Sequence, residues 1–227
     1  MADAAELQRL AWFSPAFPVG GFAYSHGIEK AVETGDVTDA DSLAGWISAI
    51  LRLGAGWNDA VLLGEAWRRS GEADRVAREN RLSELAELAT ALSLSRERRL
   101  ETVQQGAAFH RLVHSAWPHP DLPDFGDLDL PYPVAVGVAG RLHGQPLVPL
   151  VAAYLQAFVG NLLAAGIRLS VIGQQGAQVK LAGLMPLVAD LSERAATASL
   201  DDLGGMAFRA DLMSLRHETQ AVRLFRS

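Results

Sequence analysis

The chain has 227 residues, a formal net charge of −6 and an apolar fraction of 49%. This length suits one large or two small domains, and the apolar content is enough for a sizeable core, which argues against wholesale disorder. The acidic balance argues against a general nucleic-acid-binding protein. Because the chain has no cysteine, disulfide bonds, thiolate metal sites, iron–sulfur clusters and a cysteine nucleophile are excluded.

Helical periodicity runs through nearly the whole chain. The first strong helix is marked by apolar residues three and four positions apart: Leu43, Trp46, Ile47, Ile50 and Leu51. Asp39 and Asp41 precede this helix as N-caps. The next helix is predicted over residues 57–69. The stretch 72–117 is rich in Ala, Leu, Glu and Arg and predicts two more helices that meet near Ser95.

Residues 118–133 interrupt the helical pattern with five prolines and four aspartates. Proline blocks helix interiors, so this stretch is predicted to be a surface loop. Helices are predicted to resume over 134–143, 146–170, 174–194 and 200–219, and no run shows the alternation of a strand. We therefore expect a single all-α helical-bundle domain over 1–227, with roughly eight to ten helices and one long Pro/Asp-rich loop.

Two segments are informative about the cellular location of the protein. Residues 147–169 approach the length that spans a bilayer, but Tyr154, Gln156 and Asn161 interrupt them, so a buried helix of a helical domain is predicted instead. The acidic N-terminal residues lack the basic and apolar regions of a signal peptide. A cytoplasmic protein is expected.

A proline–glycine loop (residues 14–27) separates the first two predicted helices. Its aromatic residues Phe17, Phe22 and Tyr24 are unfavourable in water, so they either fill the core or contact another protein, and the sequence leaves both alternatives open. Ser25 and His26 are adjacent in sequence, which is poor geometry for a nucleophile and its base.

Two histidines have the spacing of a helical metal site. His110 and His114 are four residues apart, but the companion glutamate of a zinc-hydrolase helix is missing and no third ligand is placed. We predict no metal site and no catalytic residue. A metal-dependent all-α hydrolase built on these two histidines and an unplaced carboxylate is the alternative.

The last third of the chain carries two polar segments. Gln174 and Gln178 lie on one helix face, and Lys180 has no acidic partner nearby in sequence and is expected to point outward. Three arginines recur every seven residues, at positions 209, 216 and 223, and would form a stripe on a helix. The stripe fits either a docking surface or a solvated face at a disordered end.

Three segments resemble one protein family. Residues 14–29, the middle segment 168–178 and the tail, in which Arg216-His217-Glu218-Thr219-Gln220 leads to Arg223-Leu224-Phe225-Arg226-Ser227, are similar to motifs of the urease accessory protein F (UreF) family. Residues 97–102 with Gly106 match less closely. The resemblance covers almost the whole chain in order and position.

The resemblance implies an all-α protein that is not itself an enzyme. It implies partners, namely accessory protein D (also called H), the GTPase accessory protein G and urease apoprotein, on which the complex carbamylates a lysine and inserts nickel. The family role is to recruit the GTPase and to regulate its cycle, commonly as a homodimer. No stably bound cofactor is expected, because nickel and GTP are handled by the assembled complex. Nucleic acid and membrane are not expected partners.

The expected partner-binding residues lie in the proline–glycine loop, the middle segment and the C-terminal tail (residues 217–227) with the arginine before it. They are Phe17, Pro18, Gly20, Gly21, Phe22, Tyr24, Ser25, His26, Glu29, Gln174, Gln178, Lys180, Arg216, His217, Glu218, Gln220, Arg223, Leu224, Phe225 and Arg226. We expect the tail to dock on the D protein. A rival hypothesis is a strict GTPase activator, in which one tail arginine enters the partner's active site.

Overall fold

The computed structural model describes residues 3–227, which form ten α-helices and no strand within that range. The helices are α1 (Ala4–Trp12), α2 (Ile28–Glu33), α3 (Ala40–Leu53), α4 (Ala55–Arg69), α5 (Arg75–Ala91), α6 (Arg96–Ala116), α7 (Tyr132–Leu142), α8 (Leu147–Arg168), α9 (Gln174–Thr197) and α10 (Phe208–His217). Short 3-10 turns lie at Gly21–Ala23 and Leu200–Asp202. The predicted all-α fold is confirmed.

Helix α4 is the centre of the bundle, in contact with α3, α5, α7, α8 and α9. It buries Ala60, Val61, Leu62, Leu63 and Ala66, so apolar side chains cover more than one of its faces, as expected for a helix enclosed by others. Helix α7 packs closely against it. A Cβ at Gly137 of α7 would lie 2.4 Å from the Leu63 carbonyl oxygen, so glycine permits this approach.

Predicted helix starts agree with the observed caps in two places. Asp39 is the N-cap of α3, and its side chain accepts a hydrogen bond from the Ser42 backbone nitrogen. Ser95 is the N-cap of α6, where its hydroxyl accepts from the Arg98 backbone nitrogen. Such caps satisfy backbone N–H groups that have no partner inside the helix.

The predicted helix over 200–219 is wrong in its first half. Leu200–Asp202 forms only a 3-10 turn, and α10 begins at Phe208. Gly204 has a φ of 98°, in the left-handed region that glycine tolerates, and this breaks the helical path. The helical pattern read into this stretch therefore belongs to two separate elements.

Helix α8 has a mean hydropathy of 1.7 and is long and apolar enough to cross a membrane. Here it packs against α9 and α4. It places Leu150, Leu155 and Leu162 in the core, so it is a core helix of the bundle, as predicted.

The connection between α6 and α7 is long and irregular, covering residues 117–131. It is not wholly a surface feature, since Leu122 and Leu130 are buried against the core. The loop therefore covers one side of the bundle. The core itself is continuous from Trp12 to Met213.

Candidate functional site

The proline–glycine loop folds inward at its C-terminal end. His26 and Gly27 both have left-handed backbone conformations, with φ of 53° and 74°. At Gly27 a Cβ would lie 2.5 Å from the backbone nitrogen of Ser214 in α10, so only glycine fits there. His26 is held in a strained conformation, which is typical of sites that the surrounding structure fixes in place.

Three glutamates lie beside this bend, and we call Glu29, Glu97 and Glu101 the acidic clasp. Glu29 and Glu101 are buried, and Glu97 is partly buried. The Glu29 carboxylate accepts hydrogen bonds from the backbone nitrogens of Leu224 (2.7 Å) and Phe225 (2.9 Å). A carboxylate that accepts two backbone N–H groups makes charge-assisted hydrogen bonds, which are stronger than neutral ones. Glu29 thus fixes the path of the tail.

Glu97 holds the tail through two side chains. It lies 2.6 Å from Nδ1 of His217, and Arg223 donates to its other oxygen at 2.6 Å. The opposite nitrogen of the His217 ring lies 3.1 Å from Glu29. The fully buried His217 therefore links two members of the clasp.

Glu101 receives the end of the tail. Its carboxylate accepts from the Ser227 hydroxyl (2.9 Å), Gln105 (3.1 Å) and His26 (2.7 Å), and it pairs with Arg98. Burial alone would raise the pKa of this carboxyl, but the Arg98 guanidinium and the hydrogen bonds hold it at about 2. Glu101 therefore remains ionised at physiological pH.

The tail is consequently ordered against its own chain. Phe225 is only 4% exposed, and the Arg168 guanidinium lies 4.1 Å above its ring. The interpretation of these residues as a solvated, disordered end is wrong. Since α10 ends at His217, Arg223 does not continue a helical stripe, and it pairs with Glu97 while Arg209 pairs with Asp36.

A cleft of about 750 Å³ lies between the proline–glycine loop and helices α6, α8 and α9. Phe17, Gly21, Phe22 and Tyr24 line it from the loop, and Gln178 lines it from α9. Two of the three segments singled out in the sequence therefore meet around one cavity. The size is that of a typical ligand pocket.

Asp59 of α4 forms part of the cleft floor. Its Oδ2 accepts a 2.8 Å hydrogen bond from the Tyr154 hydroxyl, and no Lys, Arg or His of residues 3–227 lies within ion-pair distance of it. Burial raises the pKa of Asp59 to about 6. The floor thus contains a poorly compensated carboxylate.

The predicted partner-binding residues fall into three groups by exposure. Those at the surface are Pro18, Phe22, Gln174, Gln178, Arg216, Arg223, Leu224 and Arg226. Those partly buried are Phe17, Gly20, Lys180, Glu218 and Gln220. Those in the interior are Gly21, Tyr24, Ser25, His26, Glu29, His217 and Phe225.

Two of these residues have unexpected partners. Lys180 has no acidic partner nearby in sequence, as expected, but it pairs with Asp41 of α3, which is 139 positions away. Tyr24 is buried, and its hydroxyl donates to the Gln104 side chain at 2.7 Å. Tyr24 therefore supports the loop from inside.

His110 and His114 do lie together, with ring centroids 4.5 Å apart. Burial, with His114 beside it, lowers the pKa of His110 to about 4. In the part of the chain that the structure describes, no three His, Asp or Glu side chains are arranged to hold a metal ion.

Several site residues were missed by sequence reasoning or only grouped into a weak motif. They are Asp59, Glu97, Arg98, Glu101, Tyr132 and Tyr154. One signal was available: Glu97 and Glu101 are four residues apart on a helix, so they share a face. Asp59 lies inside an apolar helix, and a charge in such a place is expected to have a structural or functional partner.

The family model UreF matches residues 37–185. The chain belongs to the UreF family. A urease accessory protein UreF from Mesorhizobium japonicum is 50% identical over 97% of this chain and 96% of its own length. Those from Bradyrhizobium sp. (strain ORS 278) and Rhodopseudomonas palustris (strain BisB5) are 51% and 52% identical over 100% and 99% of this chain, and 94% and 93% of their own lengths.

The resemblance drawn from the motifs is confirmed. The match to the Bradyrhizobium protein covers the whole chain, so it includes the segments that contain the proline–glycine loop, the clasp and the tail. A urease accessory role for UreF family members is thereby supported, and the relatives are named accessory proteins, which is consistent with a non-enzymatic role.

Proposed function

We propose that this chain is a cytoplasmic, non-enzymatic scaffold in urease maturation. It binds accessory protein D, and it recruits the GTPase accessory protein G to urease apoprotein and regulates it there, so that the assembled complex carbamylates the active-site lysine and inserts nickel. It acts as a homodimer. Nickel and GTP are handled by the complex, and the chain itself holds no cofactor stably.

The observation that carries this proposal is the outward face of the tail. While Phe225 is anchored inside, Val222 is 85% and Leu224 is 61% exposed, and Leu215 of α10 is also at the surface. Arg216 and Arg226 are exposed on the same segment. Exposed apolar side chains rimmed by polar residues mark protein interaction sites, and arginine is enriched in protein interfaces.

This face is the proposed docking surface for accessory protein D. A segment that is already ordered loses less conformational entropy on binding than a disordered one, which favours a stable complex. The acidic clasp supplies that order, because Glu29 and Glu97 fix the backbone from which Val222 and Leu224 project.

The rim of the cleft is the proposed contact for the GTPase. Phe22 is 72% exposed on the loop side, and Gln178 is exposed on α9 with the partly buried Lys180. Lys180→Ala is expected to weaken capture of the GTPase. Asp41→Ala breaks the same ion pair from the other side, so equal weakening by both changes would assign the effect to the ion pair and contradict the contact.

The proposed docking surface for accessory protein D can be tested by introducing negative charges on the exposed face of the tail. Val222→Asp with Leu224→Asp is expected to abolish capture of accessory protein D in a pull-down, with circular dichroism unchanged. Val76→Asp is the matched control, because Val76 of α5 is equally apolar and 68% exposed. Undiminished capture by the tail variant would contradict the proposal. This design is sharper than deleting residues 216–227, which would also remove the buried His217 and Phe225.

The overall role is tested by complementation. A urease cluster that lacks this gene is expected to yield urease with little activity and little nickel, and both are expected to return when the chain is supplied. Full maturation without the chain would contradict the role.

The strict GTPase-activator hypothesis is distinguished by rate. A scaffold leaves the GTP hydrolysis rate of its partner unchanged. Faster hydrolysis that is abolished by Arg216→Ala or Arg226→Ala alone would favour an arginine that enters the partner's active site.

A further inference from the structure

The floor of the cleft carries one negative charge that nothing in its lining neutralises. Among the residues lining it, the ionisable groups other than tyrosines are Asp59, Arg98, Glu101 and His26. Arg98 and Glu101 cancel each other as an ion pair. Burial, followed by the nearby Arg98, lowers the pKa of His26, so its ring is uncharged at neutral pH. Asp59 is left with a single hydrogen bond, from Tyr154.

The wall around Asp59 is aromatic. The rings of Tyr132 and Tyr154 lie 5.3 Å apart, and Phe13 packs edge-on against Tyr154 at 6.3 Å. All three line the cleft. Burial raises the pKa of both tyrosines, so their hydroxyls stay protonated. Aromatic rings beside a desolvated carboxylate attract a cation both by charge and through the ring quadrupole.

The donor set selects the kind of cation. A hard divalent cation such as Ca²⁺ or Mg²⁺ is coordinated by six or more oxygen atoms, several of which can come from bound water. A single carboxylate supplies too few oxygen ligands for such an ion. An alkylammonium or guanidinium group needs only one carboxylate and gains from the apolar and aromatic surroundings of its carbon chain.

We propose that this cleft is a binding site for an alkylammonium or guanidinium group, which pairs with Asp59 beside the rings of Tyr132 and Tyr154. Two sources supply such a group: a free organic amine, and a lysine or arginine side chain of another protein. The site is separate from the tail face, because none of the tail-face residues Leu215, Arg216, Val222, Leu224 and Arg226 lines the cleft.

The test is a titration of the full chain with butylamine at pH 7.5, followed by calorimetry or NMR, with 1-butanol as the uncharged analogue. Butylammonium is expected to bind saturably, and at least about tenfold more tightly than butanol, because a hydrogen bond to a charged group is of that size. Asp59→Asn is expected to remove the difference. Asp211→Asn is the matched control, since burial also raises the pKa of Asp211 but that residue does not line the cleft.

The pH dependence is an independent readout that needs no variant. Because the pKa of Asp59 is about 6, butylammonium affinity is expected to fall about tenfold between pH 7.5 and pH 5, as the carboxylate gains a proton. Absence of saturable binding, equal binding by Asp59→Asn, or equal loss in Asp211→Asn would overturn the site. Displacement of butylammonium by Ni²⁺ alone would overturn the choice of cation.

A second arm separates the two sources. Capture of co-expressed accessory proteins D and G and of urease apoprotein is compared between Asp59→Asn and Asp211→Asn. A loss of at least about tenfold in capture by Asp59→Asn alone assigns the group to a partner's side chain. Unchanged capture assigns it to a free amine. The butylamine titration uses no partner, so its outcome is independent of the scaffold proposal.

Discussion

Glu101 and Asp59 line the same cleft and are both acidic, yet they behave in opposite ways. Glu101 has four donors around it, and its pKa is about 2; Asp59 has one, and its pKa is about 6. The difference shows that burial alone does not decide the state of a carboxylate, because hydrogen bonds and an adjacent cation outweigh it. The clasp is an acidic region already filled by the chain's own tail, whereas the cleft floor is an acidic region without a partner.

The largest effect is expected at Glu29. Glu29→Ala removes the acceptor of two tail N–H groups and of His217. Breaking a buried ionic network from one side costs about 3–5 kcal/mol, and we expect a loss of that size in the free energy of unfolding measured with urea. Glu33 lies one turn further along α2, in an exposed ion pair with Lys30. Glu33→Ala is therefore expected to lower the free energy of unfolding by less than about 1 kcal/mol. Equal losses would show that the clasp does not hold the tail.

Glu101→Gln is expected to lower the free energy of unfolding by about 3 kcal/mol at pH 7, because each unit of pKa shift corresponds to about 1.4 kcal/mol. The folded pKa is depressed to about 2. The stability that Glu101 contributes is therefore present above about pH 4.5, and it is lost as the pH falls toward 2. Urea unfolding of wild type and of Glu101→Gln between pH 7 and pH 3 measures this contribution. The difference between their free energies of unfolding is expected to narrow as the pH falls.

Asp59→Asn is expected to have the opposite sign and to raise the free energy of unfolding by about 3 kcal/mol at pH 7. Here the folded pKa is raised to about 6. The wild-type carboxyl is thus protonated at no cost below about pH 4, and stability is lost as the pH rises through 6. The extra stability of Asp59→Asn relative to wild type is expected to vanish near pH 4. A variant that is less stable than wild type at pH 7 would show that the Asp59 charge is compensated after all.

The smallest and most local effect is expected at the tail anchor. Phe225→Ala removes a buried ring and its contact with Arg168, which should lower the local opening free energy of residues 223–227 by about 2 kcal/mol. Hydrogen exchange of the tail amides measures it. The neighbouring Leu224→Ala, at an exposed position, is expected to leave exchange unchanged.

Much of the fold was readable from the sequence because helical periodicity and caps are local. The start of α3 followed from Asp39, and the boundary between two helices was predicted near Ser95, which is the N-cap of α6. The helix over 200–219 was misjudged because a single left-handed glycine at 204 outweighed an otherwise helical composition.

The site was less predictable because its bonds join distant positions. His217 reaches Glu29 across 188 residues, and Lys180 reaches Asp41 across 139. No local pattern encodes such pairs, so polar residues that hold the tail in place looked the same as residues that face a partner. The resemblance of motifs singled out the tail as a segment, but it did not separate Phe225, which is buried, from Leu224, which is exposed.

The clasp also has a consequence for biosynthesis. Its glutamates are translated in the first half of the chain, while His217, Arg223 and the tail amides that satisfy them come at the end. Until the tail is synthesised, Glu29 and Glu97 lack these partners. Glu101 already has Arg98, His26 and Gln105 beside it. The hydrogen bond that joins residues 25 and 227 can form only after the tail has been synthesised. A chain truncated before His217 would therefore leave the Glu29 and Glu97 carboxylates without their tail partners.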